Sequence, residues 1–208
     1  MKTVRVWSKE EPFGTELAEV TFGDNTLSAI GVAIGMFTVP GSHGHKSPYR
    51  ADYRLTTVER FVTSRLVLRT EGEGWKRSLD LRRLASGLWK CTTETHGEID
   101  LPPPGGDLGN LSDALDCDIA FSPLTNTMPV LRSHFKHGSE PAEVTVAWVS
   151  LPDLSVTRAT QRYEFLHKHG PHETVVRFTS KDTDQSAEVT VDERGLVVDF
   201  PGIGKQVK

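Results

Sequence analysis

Residues 116–135, DCDIAFSPLTNTMPVLRSHF, decide the fold. They read as the end of a strand, a turn, and one short helix. Leu115, Cys117, Ile119 and Phe121 share one strand face, and Asp116 and Asp118 share the other. Ser122-Pro123 offers one helix start, with serine as cap and proline at the first position. Asn126 or Thr127 offers a second, and it is the better one, because Pro129 then lies in the first turn, where a missing N–H is harmless. Met128, Leu131 and Phe135 then fall on one helical face. A helix this short needs packing to hold it.

Nearly everything outside this stretch alternates with period two. Strands are expected at residues 3–7, 16–22, 26–39, 49–58, 64–70, 74–82, 87–92, 96–101, 142–150, 155–166, 172–179, 187–191 and 196–200. Turns are expected at residues 11–14, 23–25, 170–171 and 192–195, and a loop at 40–48. The predicted fold class is therefore mainly β. A long, mostly antiparallel sheet curls around a single helix, so that both bury their apolar faces. One strand is unusual. Ile30, Val32, Ile34 and Met36 alternate with Ala29, Gly31, Ala33 and Gly35. Its bare face predicts that something approaches the backbone closely: the helix, another sheet or a ligand, with protein packing the simplest account.

The 208 residues, at a net charge of −4, suit one domain spanning 1–208. Acidic and basic residues are interspersed, with no basic stripe for nucleic acid or an anionic membrane. No run reaches transmembrane length, and the first residues, MKTVRVWSKEEPF, carry no apolar signal region. A cytoplasmic location is expected. Cys91 and Cys117, far apart in sequence, are expected as separate thiols rather than a disulfide.

Three segments carry a family resemblance: DIAFSPLTNTMPVLR, WVSLPDLSVTRATQRYEFL and AEVTVDERGLVVDFPGI. Together they resemble the bacterial putative glycolipid-binding family. Its pattern is an acidic strand followed by SPFTNTLPIRR, then P-x-L-x-V…Q-x-Y, then VD-x-x-GLV-x-DYP. The counterparts here are residues 122–132, 152–163 and 191–201. The resemblance is specific over about the last hundred residues. It implies a spiral β-roll, a long sheet wrapped round one helix, often a homodimer, similar in shape to bacterial carriers of lipoproteins and lipids. The chain departs from the pattern at Leu124 and Met128, and at Val130-Leu131-Arg132, where the family has a paired arginine.

Several constellations could carry chemistry. Thr125, Asn126 and Thr127 beside the helix start could bind a sugar hydroxyl or an anionic head group; the simpler account is that they cap the helix. Arg132 and Arg162, the latter beside Tyr163, could hold an anion or pair with local acids. Asp116 and Asp118, two apart on a strand face, would place carboxylates roughly 6–7 Å apart, the spacing of an inverting glycosidase. The simpler account is a solvated strand face. His167, His169 and His172 form an H-x-H-x2-H run without an evident supporting carboxylate, so no metal is expected there. Trp75, Trp89 and Trp148 read as core before they read as sugar platforms. No nucleotide-binding or nucleophile-elbow motif is present, and no cofactor is expected.

The expected function is non-enzymatic binding of a glycolipid or other amphiphile, held between helix and sheet. The expected ligand-binding residues are Thr125, Asn126, Thr127, Arg132, Arg162 and Tyr163. Ten buried methylenes would supply roughly 8 kcal/mol before costs, enough for micromolar affinity. The alternatives are a glycolipid or sugar hydrolase using Asp116 and Asp118, and a dimeric interaction module with no ligand.

Overall fold

The structure is a computed structural model that describes residues 1–9 and 13–208. Fourteen strands form one sheet. The first half comprises β1 (Lys2–Lys9), β2 (Gly14–Gly23), β3 (Thr26–Thr38), β4 (Lys46–Val58), β5 (Val62–Gly72), β6 (Trp75–Arg83) and β7 (Trp89–Gly97). The second comprises β8 (Asp116–Ile119), β9 (Ala142–Val149), β10 (Val156–His169), β11 (Glu173–Ser180), β12 (Ser186–Asp192), β13 (Val197–Phe200) and β14 (Gly204–Gln206). One short helix, α1 (Thr127–Ser133), follows β8 after a single 3-10 turn at Leu124–Asn126.

The spatial order is β7-β6-β5-β4-β3-β2-β1-β14-β13-β12-β11-β10-β9-β8. The two halves are meanders stitched together where the chain's ends meet, Trp7 opposite Gln206 and Ser8 opposite Lys205. All strand pairs are antiparallel except β8 with β9. Alternation explains most of this, because each strand of a meander needs only a turn and one apolar face.

The sheet is curled but not closed. Its β8 end folds back against β5: Thr63 N donates to Leu115 O at 2.9 Å, and Cys117 N to Thr63 Oγ1 at 3.1 Å. Further along β5, Thr70 Oγ1 donates to Pro152 O at 2.8 Å. β8 is therefore covered on both sides, and all four of its residues are buried. One side, with Cys117 and Ile119, joins a large core containing Leu66, Leu68, Leu79 and Trp89. A smaller core gathers Tyr163, Val176, Val189 and Val191.

The helix links the two cores. Leu124 and Met128, both fully buried, belong to the large one, and Val130 belongs to the small one. Pro129 sits in the first turn as expected, and the helix stops at Ser133 because His134 turns left-handed, with φ 47°. That stop corrects one expectation. Phe135 lies beyond the helix and packs on the small core, whereas Met128 and Leu131 pack on the large one.

Two other differences concern strands. The two short strands expected around residues 87–101 are one strand, β7, held in register along its length by β6. Its Thr92–Thr95 stretch lies at the sheet's edge without an apolar alternation to read. β14 was not anticipated, since Gly204-Lys205-Gln206 has no pattern; β1 and β13 recruit it. The turn expected at residues 11–14 lies partly outside the described residues. The bare face of β3 points inward: Gly31 lies opposite Tyr53 and Gly35 opposite Tyr49, and those rings fill the space where side chains would be. A neighbouring strand, not a ligand, makes the close approach.

Candidate ligand-binding site

The acidic strand β8 is the base of the site. Asp116 and Asp118 share the side of β8 that faces away from Cys117 and Ile119. The parallel register pairs them with Val146 and Trp148 of β9. They are 1% and 9% exposed, so the expected solvated face is corrected. A strand tucked inside a curl has no solvent side, whatever its alternation.

Each carboxylate has its own partners. Asp116 accepts two hydrogen bonds from the Arg132 guanidinium, one of 3.1 Å from Nη1 and a second from Nη2. Burial raises its pKa, and the arginine offsets only part of that rise. Asp118 Oδ1 accepts from Thr125 Oγ1 at 2.6 Å, and Oδ2 accepts from Gln161 Nε2 at 2.6 Å. Burial pushes Asp118 up to about 6, against the opposing effect of those two bonds. The Tyr163 hydroxyl donates to Asn126 Oδ1 at 2.7 Å, with Gln161 Oε1 at 3.1 Å as a second acceptor. Asn126 Nδ2 donates in turn to Ser122 O at 3.2 Å.

This network forms the floor of a cleft of about 750 Å³. Asp118, Asn126, Gln161 and Ser122 supply polar atoms; Trp148, Phe178, Ala187, Phe200 and Ile203 supply apolar wall. Small-molecule sites run to roughly 300–1,000 Å³, mostly apolar with a few converging polar groups. The arrangement suits a ligand with one greasy and one hydroxylated part.

The profile of the family described as "Putative glycolipid-binding" matches residues 4–206. The chain belongs to that family. It is also similar to the crystal structure of a DUF1089 family protein from Pseudomonas aeruginosa, at 25% identity over 92% of each chain and a TM-score of 0.68. No curated protein matches it. Among the described residues of this family member, no helix is long and apolar enough to cross a membrane.

The structure brings three of the six expected ligand-binding residues into one network: Thr125, Asn126 and Tyr163. Asn126 also lines the cleft. Thr125 and Asn126 do not cap the helix, whose N-terminus has no side-chain cap. Their hydrogen bonds go to Asp118, Tyr163 and Ser122 instead. Thr127 is fully buried, and its Oγ1 has no partner among the described residues. Arg132 is committed to Asp116 and reaches Arg60 O at 3.4 Å. Arg162 stands apart, because strand alternation sends it to the face opposite Gln161 and Tyr163.

Gln161 was missed as a cleft residue, Asp118 was expected on a solvated face, and Trp148 was expected in the core. Gln161 had a signal, two residues before Tyr163 on the same strand face. Trp148 is half-buried in the cleft wall rather than sealed in the core. His167, His169 and His172 are exposed, and His172 Nδ1 lies 3.1 Å from Glu193. Among the described residues no group of three or more His, Cys, Asp or Glu could hold a metal ion. Cys91 and Cys117 are free thiols.

Proposed function

We propose that the chain binds an amphiphile of the glycolipid type, without chemistry, in the cleft formed by β9–β13 and the turn after β8. The observation that carries this is the cleft itself: about 750 Å³, an aromatic and aliphatic wall, and a floor of Asp118, Gln161 and Asn126. Carboxylate and amide groups beside a half-buried tryptophan are what a sugar needs, with hydrogen bonds at its edge and a flat apolar surface for its face. Ala187, Phe178 and Phe200 offer the acyl part a place out of water.

The ligand's position shifts from the one expected. Leu124 and Met128 at the helix lie fully buried in the large core together with Leu66 and Leu68. The open volume lies on the other side of β8 and β9. On this reading Thr125, Asn126 and Tyr163 hold the floor in shape, and Arg132 supports it through Asp116. The chain works as one domain, and its curl is a spiral β-roll. Asp116 and Asp118 also have a structural role here. Arg132 holds one, and Thr125 and Gln161 each donate to one oxygen of the other.

Native mass spectrometry of freshly purified protein tests the reading. A co-purifying amphiphile, lost when Ala187→Trp fills the cleft while the melting temperature holds, is the expected result. Ligand-free protein that also ignores added alkyl glycosides would overturn it.

A further inference from the structure

Behind Phe121 lies a recess that the cleft does not use. Glu16 points into it from the inner face of β2 and is 3% exposed. Its Oε1 accepts hydrogen bonds from the Tyr53 hydroxyl and, at 3.0 Å, from Ser122 Oγ. Its Oε2 is buried with no partner among the described residues. Lys9 Nζ is also buried, and likewise has no hydrogen-bond partner among the described residues. It sits 3.8 Å from the centroid of the Phe121 ring. Both residues line the recess, and each buried polar atom without a partner costs about 1–3 kcal/mol.

Size and chemistry narrow the occupant. The recess holds about 30 Å³. One water needs roughly 10–15 Å³, so two heavy atoms fit and a ring does not. An anion would meet Glu16, and a cation would meet Lys9. A hydroxyl suits both, since it donates to a carboxyl oxygen and accepts from an ammonium. Trp7 and Tyr49 add apolar wall for a carbon. The recess and the cleft share a rim, Ile119, Ala120, Phe121, Ser122 and Ile203. Phe121 adopts a left-handed φ of 63° and is half-exposed at that rim.

We propose that the recess is a subsite for a hydroxymethyl group, the exocyclic CH2OH of a hexose head group, held between Glu16 Oε2 and Lys9 Nζ. The proposal rests on the cleft reading above. It adds a selectivity: hexosides over the matching pentosides.

Calorimetric titration with octyl glucoside and octyl xyloside, below their micelle concentrations, tests it, because the two differ only by that group. The wild type should prefer the glucoside by about tenfold, the worth of one good hydrogen bond. In Lys9→Met the ratio should fall to about one; should that variant not fold, Glu16→Leu is read the same way. Equal affinities in the wild type would overturn the subsite while leaving the cleft standing. A glucoside preference that persists in the variant would also overturn it. Binding of neither glycoside would remove both.

Discussion

Gly31 lies directly across the β3–β4 ladder from Tyr53, whose ring occupies the space a Cβ at residue 31 would fill. The pairing aims the Tyr53 hydroxyl at Glu16. Gly31→Ala should therefore destabilise by about 1–3 kcal/mol, since Tyr53 must leave its place in a packed core. Thermal unfolding measures the loss. A variant as stable as the wild type would show that the ring is free to move.

The Arg132–Asp116 pair is buried at both ends, with the side chains 9% and 1% exposed. Removing the arginine strands a carboxylate in the core. Arg132→Met should cost about 3–5 kcal/mol, and adding Asp116→Asn should recover much of it. Denaturant titration of the two single variants and the double gives the coupling. Additive losses would mean that the two side chains do not depend on each other.

Glu16 and Asp118 make stability depend on pH. Burial raises Glu16 from the usual 4.5 to about 7 and Asp118 from 3.8 to about 6. Between those limits the folded chain holds more protons than the unfolded one, so stability falls as pH rises. The contribution is full below about pH 4 and gone above about pH 7, a few kcal/mol at most. The charge of Asp118 raises Glu16 further and that of Asp116 raises Asp118, while Lys9 lines the same recess as Glu16. Melting temperatures of wild type and Glu16→Gln between about pH 5 and pH 8 check this. The difference should shift toward the variant with rising pH, and parallel curves would count against a buried titrating Glu16.

Cys117 is wholly buried, and burial pushes its thiol well above the ordinary range. It should resist alkylation in the folded protein and react only on unfolding. Mass spectrometry of the labelled protein with and without denaturant separates the two states. Labelling of native Cys117 would show that β8 opens readily.

The helix boundary was legible because Pro129 forbids an earlier start and Met128 has only one apolar surface to meet. The bare face of β3 was legible as a close approach, but not that Tyr49 and Tyr53 make it, since register is set by strands distant in sequence. Glu16 carried a signal that went unread. It shares a strand face with Ala18, Val20 and Phe22, an acid on an otherwise apolar side. Asp116 and Asp118 gave the wrong impression because alternation reports two faces and not what covers them.

Period-two patterning by itself determined a mainly β chain with one short helix after residue 126, since hydrophobic burial acts on each strand through its own alternation. The tertiary structure alone decided that β8 is roofed on both sides, that its two acids are buried, and that a cleft opens against β9–β13. Those outcomes depend on how far a long sheet curls before its end meets β5. The curl is a sum of small twists over many strands, and no local stretch of sequence encodes that sum.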